Sequence, residues 1–211
     1  MNVIIFGATG GIGKWAVKHA LEKGYHVTAY VRNRQKMTNR DDKLAIVQGE
    51  IFDYDKVRSA LAGQDAVIWC VGIPMKNKQV KGESKRGHEI LLKAMKEQGV
   101  KRLIDWGTPS VAFDQDKKSF ITVVPGIMAA IMFHKAKAEM IAIGEMLKKS
   151  DLDWTMVRFM MPQDTPYTGK VNVGFGDVKM NFAISREDIG AFMVDQIESK
   201  KYIRSMPIIG S

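Results

Sequence analysis

The sequence predicts an α/β fold: a doubly wound, mostly parallel sheet with helices on both faces. Three observations carry this. Apolar runs of strand length alternate with segments of helical pattern, as successive βαβ units do. Most of these runs are continuously hydrophobic, as strands covered on both faces must be. Glycines stand where the helical patterns stop, at Gly24, Gly63 and Gly99.

The elements follow in order. A first strand, Val3–Phe6, leads into a helix from about Gly11 to Lys23. Strands His26–Val31 and Leu44–Gln48 come next, then Asp53, a good N-cap, opens a helix that stops near Gly63. Ala66–Val71 is the fourth strand, and a helix from about Ser84 to Gln98 precedes strand Arg102–Trp106. Ile131–Lys137 has helical spacing, and Trp154–Phe159 is the sixth strand. Ser185 begins the last helix, with Asp188 at capping-box spacing in place of the usual Glu. Right-handed crossovers then put a ligand crevice at the C-terminal strand ends.

At 211 residues the chain suits one buried core and is too short for two domains of ordinary size. A single domain over 1–211 is expected, with a small substrate-pocket region from about residue 160. The net charge of +9 raises the question of nucleic acid, but the lysines are scattered rather than grouped with aromatics. A solvated basic surface is the reading, with no nucleic-acid partner. Cys70 is the lone cysteine, which excludes an internal disulfide, points to a reducing compartment and reads as a small core residue. No basic n-region with an apolar h-region opens the chain, and the apolar segment 120–133 is too short to span a bilayer and contains Pro125. The expectation is a cytoplasmic protein without a membrane partner, monomer or homodimer. The four histidines have no ligand spacing, so no metal is expected.

Gly7-Ala8-Thr9-Gly10-Gly11-Ile12-Gly13 lies between the first strand and the first helix. In that context a glycine string is a dinucleotide fingerprint of a Rossmann-type domain. Gly7 permits the tight turn, Gly10 admits the pyrophosphate, and Gly13 lets the helix pack close to the strands. Amides at the helix start, with Thr9, Gly11 and Ile12 among the loop residues, then face the negative charge. The second strand ends in Arg32-Asn33-Arg34 where NAD-specific proteins place an acid. Guanidinium forks at Arg32 and Arg34 suit a 2′-phosphate, so NADP(H) is expected over NAD(H), although arginines after a strand are also common solvated loop residues.

The G-A-T-G-x-x-G wording resembles the short-chain dehydrogenase/reductase superfamily, particularly its extended and atypical branches. Ser150-Asp151-Leu152-Asp153-Trp154-Thr155-Met156-Val157-Arg158, with Asp164–Gly169 and Ile184–Gly190, is similar to NmrA-like and biliverdin-IXβ (flavin) reductase-like proteins. The resemblance implies adenine contacts from Glu50 and Ile51, with Glu50 where Asp is usual. It implies that Val71 and Gly72 pass the pyrophosphate and ribose, and that the loop after the sixth strand, with Phe159, Met160, Met161 and Pro162, lies against the nicotinamide.

The best-known members of the superfamily use a Ser and a Tyr-x-x-x-Lys pair. Here Thr108 and Ser110 supply hydroxyls after the fifth strand, or merely dress a Gly-Pro turn. Phe133 stands four before Lys137, where a tyrosine is wanted, and counting back from Ser150 puts the lysine register nearer Met140. No Tyr/Lys pair is assigned. His134 is either a proton source near the pocket or a surface or packing histidine. The resemblance implies an NAD(P)H-dependent reductase of a flavin, quinone or similar small-molecule acceptor, one that takes its proton from water. Two alternatives are a non-catalytic NADP-binding sensor of NmrA-like type and an epimerase or dehydratase. The missing Tyr/Lys pair and the absence of a large C-terminal substrate region weigh against the last.

Overall fold

A computed structural model describes residues 1–74 and 76–211. Its strands are β1 (Asn2–Phe6), β2 (His26–Val31), β3 (Leu44–Gln48), β4 (Ala66–Trp69), β5 (Arg102–Gly107), β6 (Asp153–Arg158), β7 (Pro162–Gln163), β8 (Asn172–Gly174), β9 (Ile184–Ser185) and β10 (Ile208–Gly210). Its helices are α1 (Gly13–Glu22), α2 (Tyr54–Leu61), α3 (Glu83–Gln98), α4 (Phe120–Met132), α5 (His134–Lys149) and α6 (Arg186–Asp195).

The main sheet runs β3-β2-β1-β4-β5-β6-β10-β8, parallel throughout except for β8, which is antiparallel to β10. Strand order reverses between β1 and β4, which places the crevice where the sequence predicts it. The continuous apolarity of β1 now has its reason. Val3 and Ile5 pack into a core with Ala16, Val17 and Ala20 of α1 and Ile189 and Met193 of α6. Ile4 and Phe6 enter the opposite core with Leu61, Leu91, Met95 and Leu147. A polar residue at any of these positions would lie buried without water.

The six expected strands lie within about two residues of their predicted ends, the tolerance that fraying sets. The Asp53 cap forms, its carboxylate accepting from Lys56 N at 3.1 Å. Two expectations are corrected. Ile131–Lys137 is not one helix, because Phe133 (φ −132, ψ 36) breaks the chain between α4 and α5. Nor does a capping box close at Ser185. The Ser185 hydroxyl accepts from Glu187 N, but the buried Asp188 carboxylate instead takes Thr168 N, Thr168 Oγ1 and Gly169 N at 2.9–3.1 Å. A buried carboxylate goes to the donors that face it, and these come from another loop.

Two buried guanidinium groups tie the far end of the sheet. Arg102 donates to Gln196 O and Ile197 O at the C-terminal end of α6 and to Thr155 Oγ1, favourable company for a cation at a helix C-terminus. Burial pushes its pKa down to about 10. Arg158, wholly buried, donates to Met206 O at 2.8 Å, to Val111 O at 2.7 Å, and forks onto Asp116 at 2.5 and 2.7 Å. Asp116→Ala would leave that cation buried and unpaired. It should lower unfolding free energy by about 3–5 kcal/mol in a urea titration; a loss under about 1 kcal/mol would show that the loop relaxes and water reaches the arginine.

Candidate functional site

The glycine loop turns as its sequence requires. Gly7 has φ +73°, and a Cβ there would stand 2.7 Å from the Cys70 carbonyl. At Gly13 a Cβ would stand 2.2 Å from Gly7 O, so α1 packs directly onto the loop. Gly10 N donates to Gly7 O at 2.8 Å and closes the turn. Among the described residues no side chain caps α1, and its first turn carries no acid. Its positive end is therefore left for an external anion, which fits a diphosphate. Thr9, Gly10 and Ile12 are half-buried around this end and Gly11 is exposed.

The remaining cofactor candidates are spread along the strand ends. Arg32 is exposed one residue past β2. Arg34 opens a 3-10 turn and lines a shallow hollow beside β3 with Arg40 and Asp41, away from the loop. Glu50 is exposed after β3, and its carbonyl accepts from the buried Tyr30 hydroxyl at 3.0 Å. Ile51 packs towards α3, where Gly87 has no side chain to obstruct it. β4 ends at Trp69, two residues before the expected end, and Val71 O accepts from Trp106 Nε1 at 2.9 Å. Gly72 borders open space.

A pocket of about 660 Å³ lies over Gly10, Gly11 and Ile12. Trp106, Phe133, Met140, Phe159 and Met160 give it apolar walls. Trp106 and Phe159 stack with ring centroids 5.8 Å apart. Met161 also lines it, held at φ +42°, a conformation that an L-residue with a long side chain adopts only under constraint. Polar atoms are few. Thr108 Oγ1 and Ser110 Oγ are 2.6 Å apart, and the Thr108 hydroxyl donates weakly to Met140 Sδ at 3.6 Å. Phe133, Lys137 and Met140 all face the pocket, so both registers considered for a Tyr/Lys pair reach it and neither supplies a tyrosine. His134 does not line it. Its exposed ring accepts from Asn77 Nδ2 at 3.2 Å on the outer side of the break at Phe133.

Sequence reasoning missed Arg186. This side chain lines the pocket, its Cδ is 3.0 Å from where a Gly11 Cβ would stand, and it pairs with Asp164 at 2.9 Å. The spacing to the glycine loop is so long that only the meeting of α1 with α6 reveals the contact. Cys70 borders the same pocket, where burial, with the Asp105 charge adding to it, pushes the thiol up to about 12.

Behind the pocket lies a buried pair. His88 Nε2 is 3.0 Å from Asp105 Oδ2, His88 Nδ1 is 2.7 Å from Ser84 O, and the ring packs on Trp69. Asp105 Oδ1 accepts from Trp106 N at 2.8 Å, so the pair also steadies the start of the pocket wall. Burial alone would lower the His88 pKa; the Asp105 charge and hydrogen bond, with the Ser84 carbonyl and Glu139, outweigh it and raise it above the usual 6.5.

A glycine loop at the reversal point of a parallel sheet, opening beneath an apolar pocket, defines an NAD(P)-binding Rossmann domain. Residues 7–200 match the profile of a family described as NAD(P)H-binding, and the chain belongs to that family. The chain is 25% identical over its whole length to the chloroplastic divinyl chlorophyllide a 8-vinyl-reductase of Arabidopsis thaliana, covering 53% of that protein. It is 34% identical over 31% of its length to cinnamoyl-CoA reductase 1 of Petunia hybrida, covering 22% of it. The chain thus spans about half the length of these relatives or less. Many solved structures share the fold, two of which serve as examples. One is the oxidoreductase ylbE of Lactococcus lactis (TM-score 0.78, 18% identity, covering 100% of this chain and 91% of that one). The other is a wide-type short-chain dehydrogenase/reductase of Veillonella parvula in complex with NADP (TM-score 0.77, 15% identity, covering 100% and 94%). Among the described residues no group of side chains has the makings of a metal site, and no helix is long and apolar enough to cross a membrane.

The His88–Asp105 pair makes stability depend on pH. With its folded-state pKa raised, His88 keeps a proton that the unfolded chain has lost, so the pair contributes fully below the ordinary value of 6.5. That contribution falls as pH rises through the folded-state pKa. Urea midpoints measured between about pH 6 and 9 should decline in the parent and run flatter in Asp105→Asn. Parallel curves would mean that the pair does not titrate in this range.

Proposed function

We propose that the protein is an NAD(P)H-dependent reductase that prefers NADP(H) and acts on a small flat acceptor such as a flavin or quinone. The observation that carries this reading is the apolar pocket above the glycine loop, walled by aromatic and methionine side chains and with no tyrosine among the described residues that line it. When bound, the nicotinamide supplies the hydride. The chain's own residues hold, orient and exclude water. The bare start of α1 receives the diphosphate, and Arg186, beside Gly11, adds a positive charge to that end. Arg32, exposed after β2 and in no ion pair among the described residues, offers its fork to a 2′-phosphate, whereas the placement of Arg34 at the sheet edge favours it less. Glu50 and Ile51 border the adenine end; Val71 and Gly72 line the path between adenine and the pocket; Phe159 and Met160 support the nicotinamide face.

The proton step needs little from the protein. Ser110 Oγ donates to Thr108 Oγ1 when the Thr108 proton points at Met140 Sδ, so the two hydroxyls satisfy each other. A sulfur acceptor is weak, and the Thr108 proton is easily turned to hold an acceptor's oxygen. Stacking an acceptor against the nicotinamide then supplies most of the acceleration. His134 lies outside the pocket and has no part in this.

Calorimetric titration separates the two cationic roles. Arg32→Ala should weaken NADP(H) by about 1–3 kcal/mol and leave NAD(H) nearly unchanged. Arg186→Ala should weaken both alike. Equal losses for both cofactors in Arg32→Ala would overturn its assignment to the 2′-phosphate.

Steady-state NADPH oxidation with flavin and quinone acceptors checks the chemistry. Thr108→Val and Ser110→Ala should each lower kcat by less than about a hundredfold, the low end for losing a general acid. A loss of several thousandfold would reveal a dedicated proton donor. Tight NADPH binding with no turnover against a broad acceptor panel would make the protein a cofactor sensor.

A further inference from the structure

Helix α4 carries no charged residue from Phe120 to Met132. Phe120, Val123, Ile127 and Ile131 form one stripe, with Met128 and Met132 beside it, and all six are 47–74% exposed. Only Phe120 is seen stacked, on Phe182 at 6.0 Å. Six exposed large hydrophobic side chains on one helix mark an interaction site.

The rim of this surface is cationic. Lys117 and Lys118 precede the helix and Lys135 follows it, all exposed. Lys76 and Lys78 flank Asn77, which fastens the far end by donating to Met132 O at 3.1 Å and accepting from Lys135 N at 3.2 Å. Of the acids nearby, Asp116 is held by Arg158, Asp177 accepts from Phe175 N, and Asp114 is exposed. A second copy of the chain related by a two-fold axis would bring one lysine rim against the other. An anionic surface meets no such repulsion.

We infer that α4 seats the protein on an anionic lipid bilayer, its apolar stripe in the acyl boundary and the flanking lysines at the headgroups. Thirteen residues of helix are too few to span and enough to lie in the plane of the interface. The expectation of no membrane partner rested on length, and length bears on spanning alone. Met128 belongs to both the exposed helix and the pocket wall, so the seated protein would turn that wall towards lipid. The inference stands apart from the reductase reading, because its test reads binding without turnover.

The test is flotation of the full chain with vesicles of phosphatidylcholine alone and of phosphatidylcholine mixed with phosphatidylglycerol. The chain should partition at least about tenfold better into the anionic vesicles, and added salt should weaken the binding. Ile127→Asp/Ile131→Asp and, separately, Lys117→Glu/Lys118→Glu should each cost about tenfold or more in partition, while the circular dichroism melt and NADPH affinity stay those of the parent. No flotation with either vesicle would overturn the inference, as would parental flotation by the aspartate pair. A parent dimer in light scattering that the aspartate pair converts to monomer would also overturn it, and would assign the stripe to a subunit interface.

Discussion

Arg158 is wholly buried at the end of β6, and a cation there must be answered on every side. Its answers come from two separate stretches of the chain. Val111 and Asp116 belong to the loop after β5, Met206 leads into β10, and the next residue in the chain is Phe159, in the pocket wall. The loop held by Val111 and Asp116 is the one that carries Thr108 and Ser110. One guanidinium therefore sets the distance between the hydroxyl pair and the aromatic floor opposite. An apolar residue of the same volume would fill the space and leave that loop without a register.

On the other side of the crevice a series of hydrogen bonds does comparable service. Asp164 pairs with Arg186, Thr165 O accepts from Ser185, and Thr168 with Gly169 donates to Asp188. The segment after β7 is thus laced onto the first turn of α6. That turn packs in turn on α1, close enough that a Cβ on Gly190 would meet Trp15 Cβ at 2.8 Å. The helix that begins at the glycine loop and the helix that brings Arg186 are locked by their backbones, so Arg186 reaches Gly11 by construction rather than by a flexible approach.

Much of this was legible in the residues. Strands buried on both faces must be apolar, and Val3–Phe6 of β1 and all of β4 are; glycines that end helices must tolerate positive φ, and Gly24, Gly63 and Gly99 have it. The glycine loop announces itself by the strand before it and the helix after it. What stayed hidden has physical causes. Helix α4 carries no charged residue, so its sequence has no polar period to read. The break at Phe133 turns the chain between His134 and the pocket, and spacing alone assumes an unbroken helix. Asp188 matched a capping box in spacing, yet burial gave it nearer donors. Strands of two or three residues, such as β7 and β9, are too short to show alternation.

Cys70 gives the pocket one further character. Quinones and other electron-poor rings are soft electrophiles, and a thiolate beside one would add to it and poison the protein covalently. With its pKa near 12, the thiol is ionised to only on the order of one part in 10⁵ at neutral pH, the thiolate being the nucleophilic form. The nearby Asp105 carboxylate adds to that restraint. A sulfur atom can thus border an apolar, aromatic-walled chamber and remain a spectator, because burial, helped by the charge behind it, withholds its lone pair from bonding.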